Sequence, residues 1–159
     1  QDKRVLSVSR IVRQLDAPTI LYYAGILTAV AALASSGLLD FVAMKMDSQV
    51  GNIYGIDMLI GMLSSLIDNA SLVAASMGMY NIASPDTTGY LSSFVVNGNF
   101  WTFLAYTAGT GGSMLIIGSA AGVAAMSMEN ISFGWYFKRM SGLAFLGYLS
   151  GAALFYFGL

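Results

Sequence analysis

The chain has 159 residues, of which 57% are hydrophobic and 9% charged, with a formal net charge of -1. Soluble domains carry about 25% charged residues, so this composition excludes an ordinary water-facing surface, and the charge balance excludes the basic patch that nucleic acid requires. There is no cysteine and no histidine, which removes disulfides, thiolate chemistry and the commonest transition-metal ligands.

Residues 1–16 read as a basic, amphipathic lead carrying Lys3, Arg4, Arg10 and Arg13. No signal-peptide pattern stands at Gln1, and the chain is expected to be part of a longer polypeptide or one subunit of a complex. The first apolar region, residues 17–39, holds no charge. At about 1.5 Å per residue it is long enough to cross a hydrocarbon core of about 30 Å. Asp16 and Pro18 mark its start, with proline in the first turn where a missing N–H costs nothing, and Gly37 and Asp40 mark its end.

The second apolar region, residues 53–84, contains Asp57 and the pair Asp68-Asn69. As one helix it would be about 48 Å long, too long for a single span without strong tilt. Split at 65–69, each arm is about 18–23 Å, too short to cross. Two short arms around a polar tip near 64–71 predict a re-entrant hairpin, tolerated at membrane depth only where protein buries it or water reaches it. Asp68 has no Lys, Arg or His within twenty residues. An ionised group in such surroundings faces a protein interior or an aqueous cavity and carries function. Asp57 is expected at the membrane interface or, alternatively, on an access path.

The third region, residues 100–126, is interrupted by Thr107-Ala108-Gly109-Thr110-Gly111-Gly112-Ser113, which predicts a helix broken at 109–113. Residues 130–140 are aromatic and basic, as suits an interfacial segment. Residues 141–159 predict a final span. If the second region is re-entrant, the lead and the connection with Lys138 and Arg139 share one side, opposite Lys45. Six basic residues against one place that side in the cytoplasm.

Two motifs resemble a known family. Ser64-Ser65-Leu66-Ile67-Asp68-Asn69 with Met77-Gly78-Met79-Tyr80 is similar to the hairpin of NhaD-type sodium/proton antiporters. The run from Gly109 to Gly122 is similar to the broken helix that follows it. Leu15-Asp16-Ala17-Pro18-Thr19 and Phe133-Gly134-Trp135-Tyr136-Phe137-Lys138-Arg139 fit as well. Family members often place a proline soon after the Asp-Asn pair; here Ala70-Ser71 follow, and Ser71 adds a hydroxyl.

The resemblance implies an all-α membrane protein. Its fold would be one of two inverted repeats of the ion transporter superfamily: transmembrane helix, re-entrant hairpin, discontinuous helix, transmembrane helix. It implies the C-terminal half of the transporter, with the first repeat supplied by the same polypeptide or by a partner chain, and it leaves room for a homodimer. The implied setting is the lipid bilayer of a bacterial inner membrane. The implied activity is exchange of sodium (or lithium) for protons by alternating access, with no cofactor.

A carboxylate is the group for which sodium and protons compete, and Asp68 is the candidate. Asn69, Ser64, Ser65, Thr110 and Ser113 offer the oxygens that a hard cation prefers. Carbonyls freed around Gly111-Gly112 join them. Bland readings stand beside these. Asp68 and Asn69 suit helix N-caps, Ser64 and Ser65 suit local backbone bonding, and Gly111-Gly112 suit close helix packing. Asp16 and Ser71 are second-tier candidates with Asp57. An anion carrier of the same superfamily and a non-transporting scaffold subunit are the alternatives. No nucleophile–base constellation points to an enzyme.

Overall fold

The computed structural model describes residues 17–158. The expected lead and Asp16 lie outside the described residues. Every regular element among those residues is helical.

Helix α1 (Ala17–Ser35) has no buried residue, and Ile20, Leu21 and Leu27 project outward. It is long and apolar enough to cross a membrane. It ends earlier than the composition suggests because three local features stop it. The Ser35 and Ser36 hydroxyls donate back to the carbonyls of Ala32 and Leu33, at 2.9 and 2.7 Å, and Gly37 takes φ +74°, a conformation that favours glycine. The chain turns there into α2 (Leu38–Gln49), a stretch expected to be mostly a connection. Leu39 and Ala43, four residues apart, form its buried stripe, while Asp40 and Lys45 stay exposed.

The second apolar region forms two helices of 11 residues, α3 (Ile53–Leu63) and α4 (Asn69–Met79), joined by 64–68. Each is about 16 Å long. Asn52 caps α3 by accepting from the Tyr54 N–H at 3.0 Å. The two helices diverge from the tip: α3 lies along α5 (Asn99–Gly111), whereas α4 lies mainly along α1 and α2. The reason is in the apolar spacing. Buried residues on α3 are Ile53, Ile56, Asp57, Ile60 and Gly61. Those on α5 are Phe100, Phe103, Leu104, Thr107, Ala108 and Gly111. Both series follow the three-and-four rhythm of a single helix face. Where these faces cross, Gly61 meets Gly111 so closely that a side chain on Gly111 would run into the Gly61 carbonyl. Small residues at such crossings let backbones approach.

Helix α5 continues through Gly111, so the helical path is interrupted at 112–119 rather than at 109–113. Gly109 has open space on the helix surface and does not break it. The turn tightens only at the end, where Ser113 N–H donates to Thr110 O and Met114 N–H to Gly111 O. After a 3-10 turn at Ile116–Gly118, Ser119 caps α6 (Ala120–Glu129) by accepting from the Gly122 N–H at 3.0 Å. Helix α7 (Phe133–Arg139) ends on Lys138 and Arg139, which complement its dipole. Helix α8 (Ser141–Gly158), the second one long and apolar enough to cross a membrane, packs on α5. Its buried Tyr148 donates to the Met58 carbonyl at 2.8 Å.

Rings fill the core beneath α3. Phe94 and Phe100 lie 4.6 Å apart, and Tyr80 sits 5.1 and 4.8 Å from them. Ile53, Ile56, Ile60, Leu72 and Leu104 complete the cluster.

Candidate ion-binding site

Four helix ends converge near the tip: the C-termini of α3 and α5, and the N-termini of α4 and α6. Residues 64–68 turn tightly, with Leu66 and Ile67 N–H groups both donating to the Leu63 carbonyl. Asn69 opens α4 and points its amide toward Ser64, with 2.7 Å between Ser64 Oγ and Asn69 Oδ1. Ser64 Oγ also lies 2.7 Å from the Ala108 carbonyl. A hydroxyl has one proton. The Ser64 hydroxyl therefore donates to one of two acceptors at the same distance, Asn69 Oδ1 or the Ala108 carbonyl. Ser64 is fully buried.

The glycines of the interruption close on this pair. A methyl group on Gly112 would lie 2.6 Å from Asn69 Oδ1. One on Gly118 would lie 2.6, 2.7 and 2.8 Å from the carbonyl oxygens of Ser65, Gly112 and Ser64. Three backbone carbonyls thus close on Gly118, and the Asn69 side-chain amide closes on Gly112. The cluster is all oxygen on its acceptor side, which suits a hard monovalent cation.

The expected residues divide. Ser64, Asn69 and Gly112 come together, and Ser65 contributes its carbonyl; its hydroxyl bonds back to Met62 O at 2.7 Å. Gly111 belongs to the crossing with Gly61 instead. Thr110 and Ser113 turn their hydroxyls to their own helix, donating to Tyr106 O at 2.7 Å and Thr110 O at 2.6 Å.

Asp68 is the N-cap of α4, taking the Ala70 and Ser71 N–H groups on Oδ2 at 3.2 and 3.4 Å. The same oxygen accepts from the Tyr22 hydroxyl of α1 at 3.0 Å. Its carboxylate therefore faces α1 at the edge of the cluster. Ser71 contributes an N–H to that cap.

Asp57 stands apart from the cluster, seven residues before Ser64 on α3. It is fully buried, and neither carboxylate oxygen has a hydrogen-bond partner. The sequence carried the sign of this: Asp57 falls on the same helical stripe as Ile53, Ile56, Ile60 and Gly61. Tyr22 and Tyr136 were not singled out by sequence. Tyr136 ties α7 to the interruption through Ser113 O at 2.8 Å. No local signal marks either tyrosine, because each partner lies far away in the chain.

A groove of about 790 Å³ runs between α4 and α5, lined by Val73, Met77, Trp101, Leu104 and Ala108, with Asn69 among its lining residues. The site therefore borders an apolar recess.

An all-helical fold with two apolar helices long enough to cross a membrane fits a helical membrane protein. No family model and no solved structure matches the chain. Sodium/proton antiporter 1 of Arabidopsis thaliana is 43% identical over 154 residues, 97% of this chain and 25% of that protein. Sodium/proton antiporter 2 of the same plant is 41% identical over 150 residues, 94% of this chain and 34% of that protein. The Na(+)/H(+) antiporter NhaD of Vibrio parahaemolyticus is 34% identical over 108 residues, 68% of this chain and 23% of that protein. The chain belongs to the NhaD-type sodium/proton antiporter family, and it spans about a quarter to a third of the length of these relatives.

Proposed function

We propose that this chain forms part of a membrane exchanger of sodium (or lithium) for protons, and that the cation binds where the helix ends meet. The observation that carries the reading is the convergence of Ser64 O, Ser65 O and Gly112 O on Gly118, with Asn69 Oδ1 close on neighbouring Gly112. Half-helix C-termini and unwound carbonyls commonly hold coupling ions in transporters built this way. Asp68 adds a negative charge at the edge of the cluster. Protonation removes that charge, so protons and the cation compete for the site.

The two short helices α3 and α4 are read as the arms of a re-entrant hairpin, and α5 with α6 as a discontinuous helix. With α1 and α8 they would make one inverted repeat, the C-terminal half of the transporter. The first repeat, in the same polypeptide or a partner chain, would supply the other wall of the site, and assembly as a homodimer fits the same scheme. Alternating access would move the tip and the interruption together, since Ser64, Asn69, Gly112 and Gly118 are in direct contact. The relatives come from a plant and from bacteria, so the proposal extends to an integral membrane exchanger in either setting. Anion carriage fits less well: the α4 N-terminus, the natural anion cradle, is already capped by a carboxylate.

The test is cation-dependent proton flux in vesicles holding the full-length protein. Asp68→Asn should abolish it with the fold intact. Wild-type exchange in that variant would refute competition at Asp68, and the lack of any sodium-dependent flux in the wild type would refute the exchanger reading.

A further inference from the structure

Asp57 is the titratable group that the exchange reading leaves unused. It sits in the middle of the α3–α5 interface, fully buried, with both oxygens unpartnered. Among the described residues no cation stands near it: Lys45, Lys138 and Arg139 are all exposed. The ionisable groups that feel its charge are the phenols Tyr80 of α4, Tyr90 of the 3-10 turn at Gly89–Phe94, and Tyr148 of α8. From α2, Asp47 stands behind the first two and accepts their hydroxyls. On α5 the buried polar group is Thr107, whose hydroxyl donates to Leu104 O at 3.2 Å. None of these groups offers Asp57 a positive charge.

An ionised carboxylate sealed from water without a hydrogen bond or counter-ion is strongly disfavoured, and uptake of a proton removes the penalty. Asp57 also has a fixed relation to the cation cluster. Ser64 lies seven residues further along, two helical turns on the same face and about 10 Å along the axis. The Gly61–Gly111 crossing stands between them and holds α3 to α5.

We propose that Asp57 is a second proton-binding site of the exchanger, coupled through space to the cation cluster at the α3 C-terminus. This rests on the exchange reading above and adds a carboxyl group to it. In the conformation described here Asp57 holds a proton. On opening, a carboxyl oxygen gives that proton to water and the side chain becomes an anion. The anion then attracts a cation to the oxygens around Ser64. On return, it takes a proton from water and the attraction ends. At an effective dielectric of about 20, one charge about 10 Å away changes cation affinity by roughly ten- to twentyfold. Asp57 acts on the cation through charge, without touching it.

The experiment uses the full-length protein in detergent and measures sodium affinity against pH in wild type and Asp57→Asn. The amide mimics the neutral acid, so the variant should fold and keep only the pH dependence of sodium affinity that Asp68 supplies. The further roughly ten- to twentyfold gain that the Asp57 charge adds toward alkaline pH should be lost. Infrared spectroscopy should show a protonated carboxyl band in the wild type that persists in Asp68→Asn and is missing in Asp57→Asn. A wild-type pH profile of sodium affinity in Asp57→Asn overturns the proposal. So does a wild-type protein whose sodium affinity shows no step at the midpoint of the carboxyl band that persists in Asp68→Asn, a comparison that stands even if Asp57→Asn fails to fold. If the wild type binds no sodium at any pH, the exchange reading fails, and the coupling proposed for Asp57 fails with it.

Discussion

Gly118→Ala tests the cation cluster most directly. The added methyl would stand 2.6–2.8 Å from the carbonyl oxygens of Ser65, Gly112 and Ser64. Ordinary contact begins at 3.4 Å, so each oxygen must retreat by about 0.6–0.8 Å. All three belong to the backbone, and none can swing aside as a flexible side chain would. Overpacking of this kind costs about 1–3 kcal/mol. A binding constellation must hold its groups to about 0.5 Å, so the displacement exceeds what the site tolerates. With about 1.4 kcal/mol per tenfold in affinity, half-saturation by sodium should rise roughly tenfold or more. The assay is sodium-dependent proton flux in vesicles of the full-length protein, with thermal unfolding measured in parallel. Gly109→Ala is the matched control. It lies in the same glycine-rich motif but has nothing within 4 Å of its added methyl; it should leave half-saturation unchanged and, being within α5, should hold or slightly raise thermal stability. Wild-type half-saturation in Gly118→Ala would show that these carbonyls do not hold the cation.

Two further outcomes follow from the contacts. Ser64→Ala removes the hydroxyl between Asn69 and the Ala108 carbonyl and leaves a buried acceptor unpaired. That costs about 1–3 kcal/mol, and a double-mutant cycle with Asn69→Ala should show coupling in both unfolding and sodium affinity; strict additivity would count against a shared cluster. Tyr90 and Tyr80 latch the 81–98 segment to α2 through Asp47, at 2.9 and 3.3 Å. Partial burial, and then the Asp47 carboxylate, push the Tyr90 phenol above its ordinary value of 10.0. A raised value in the folded state means the latch is fully present below pH 10 and is lost as pH rises toward the folded value. Hydrogen exchange of this segment should accelerate at strongly alkaline pH, and Tyr90→Phe should exchange fast already at neutral pH. Equal exchange in the two proteins at neutral pH would refute the latch.

Much of the architecture was legible in the chain. The apolar run from Ala17 is long enough to span, and the one from Ser141 likewise, because length and lack of charge are local properties. The divided second region was legible as well, since a run that is too long as one helix and too short as two spans has few solutions. Boundaries were less so. The first helix stops at Ser35 because of back-bonding hydroxyls and a left-handed glycine, and the interruption after α5 begins at Gly112, where the Ser113 and Met114 N–H groups turn back to Thr110 O and Gly111 O.

The site divides along the same line. The sequence alone determined which groups could bind a cation: a carboxylate, an amide, hydroxyls and glycines gathered in two motifs, with neither histidine nor cysteine to compete. Only the tertiary structure decided which of those groups meet. Ser64 finds Ala108 across 44 residues, Tyr22 finds Asp68 across 46, and Tyr148 finds Met58 across 90. Such pairs depend on how short helices diverge from a tip and cross at Gly61 and Gly111. That crossing is set by the fit of two whole faces, so it leaves no mark at any single position in the chain.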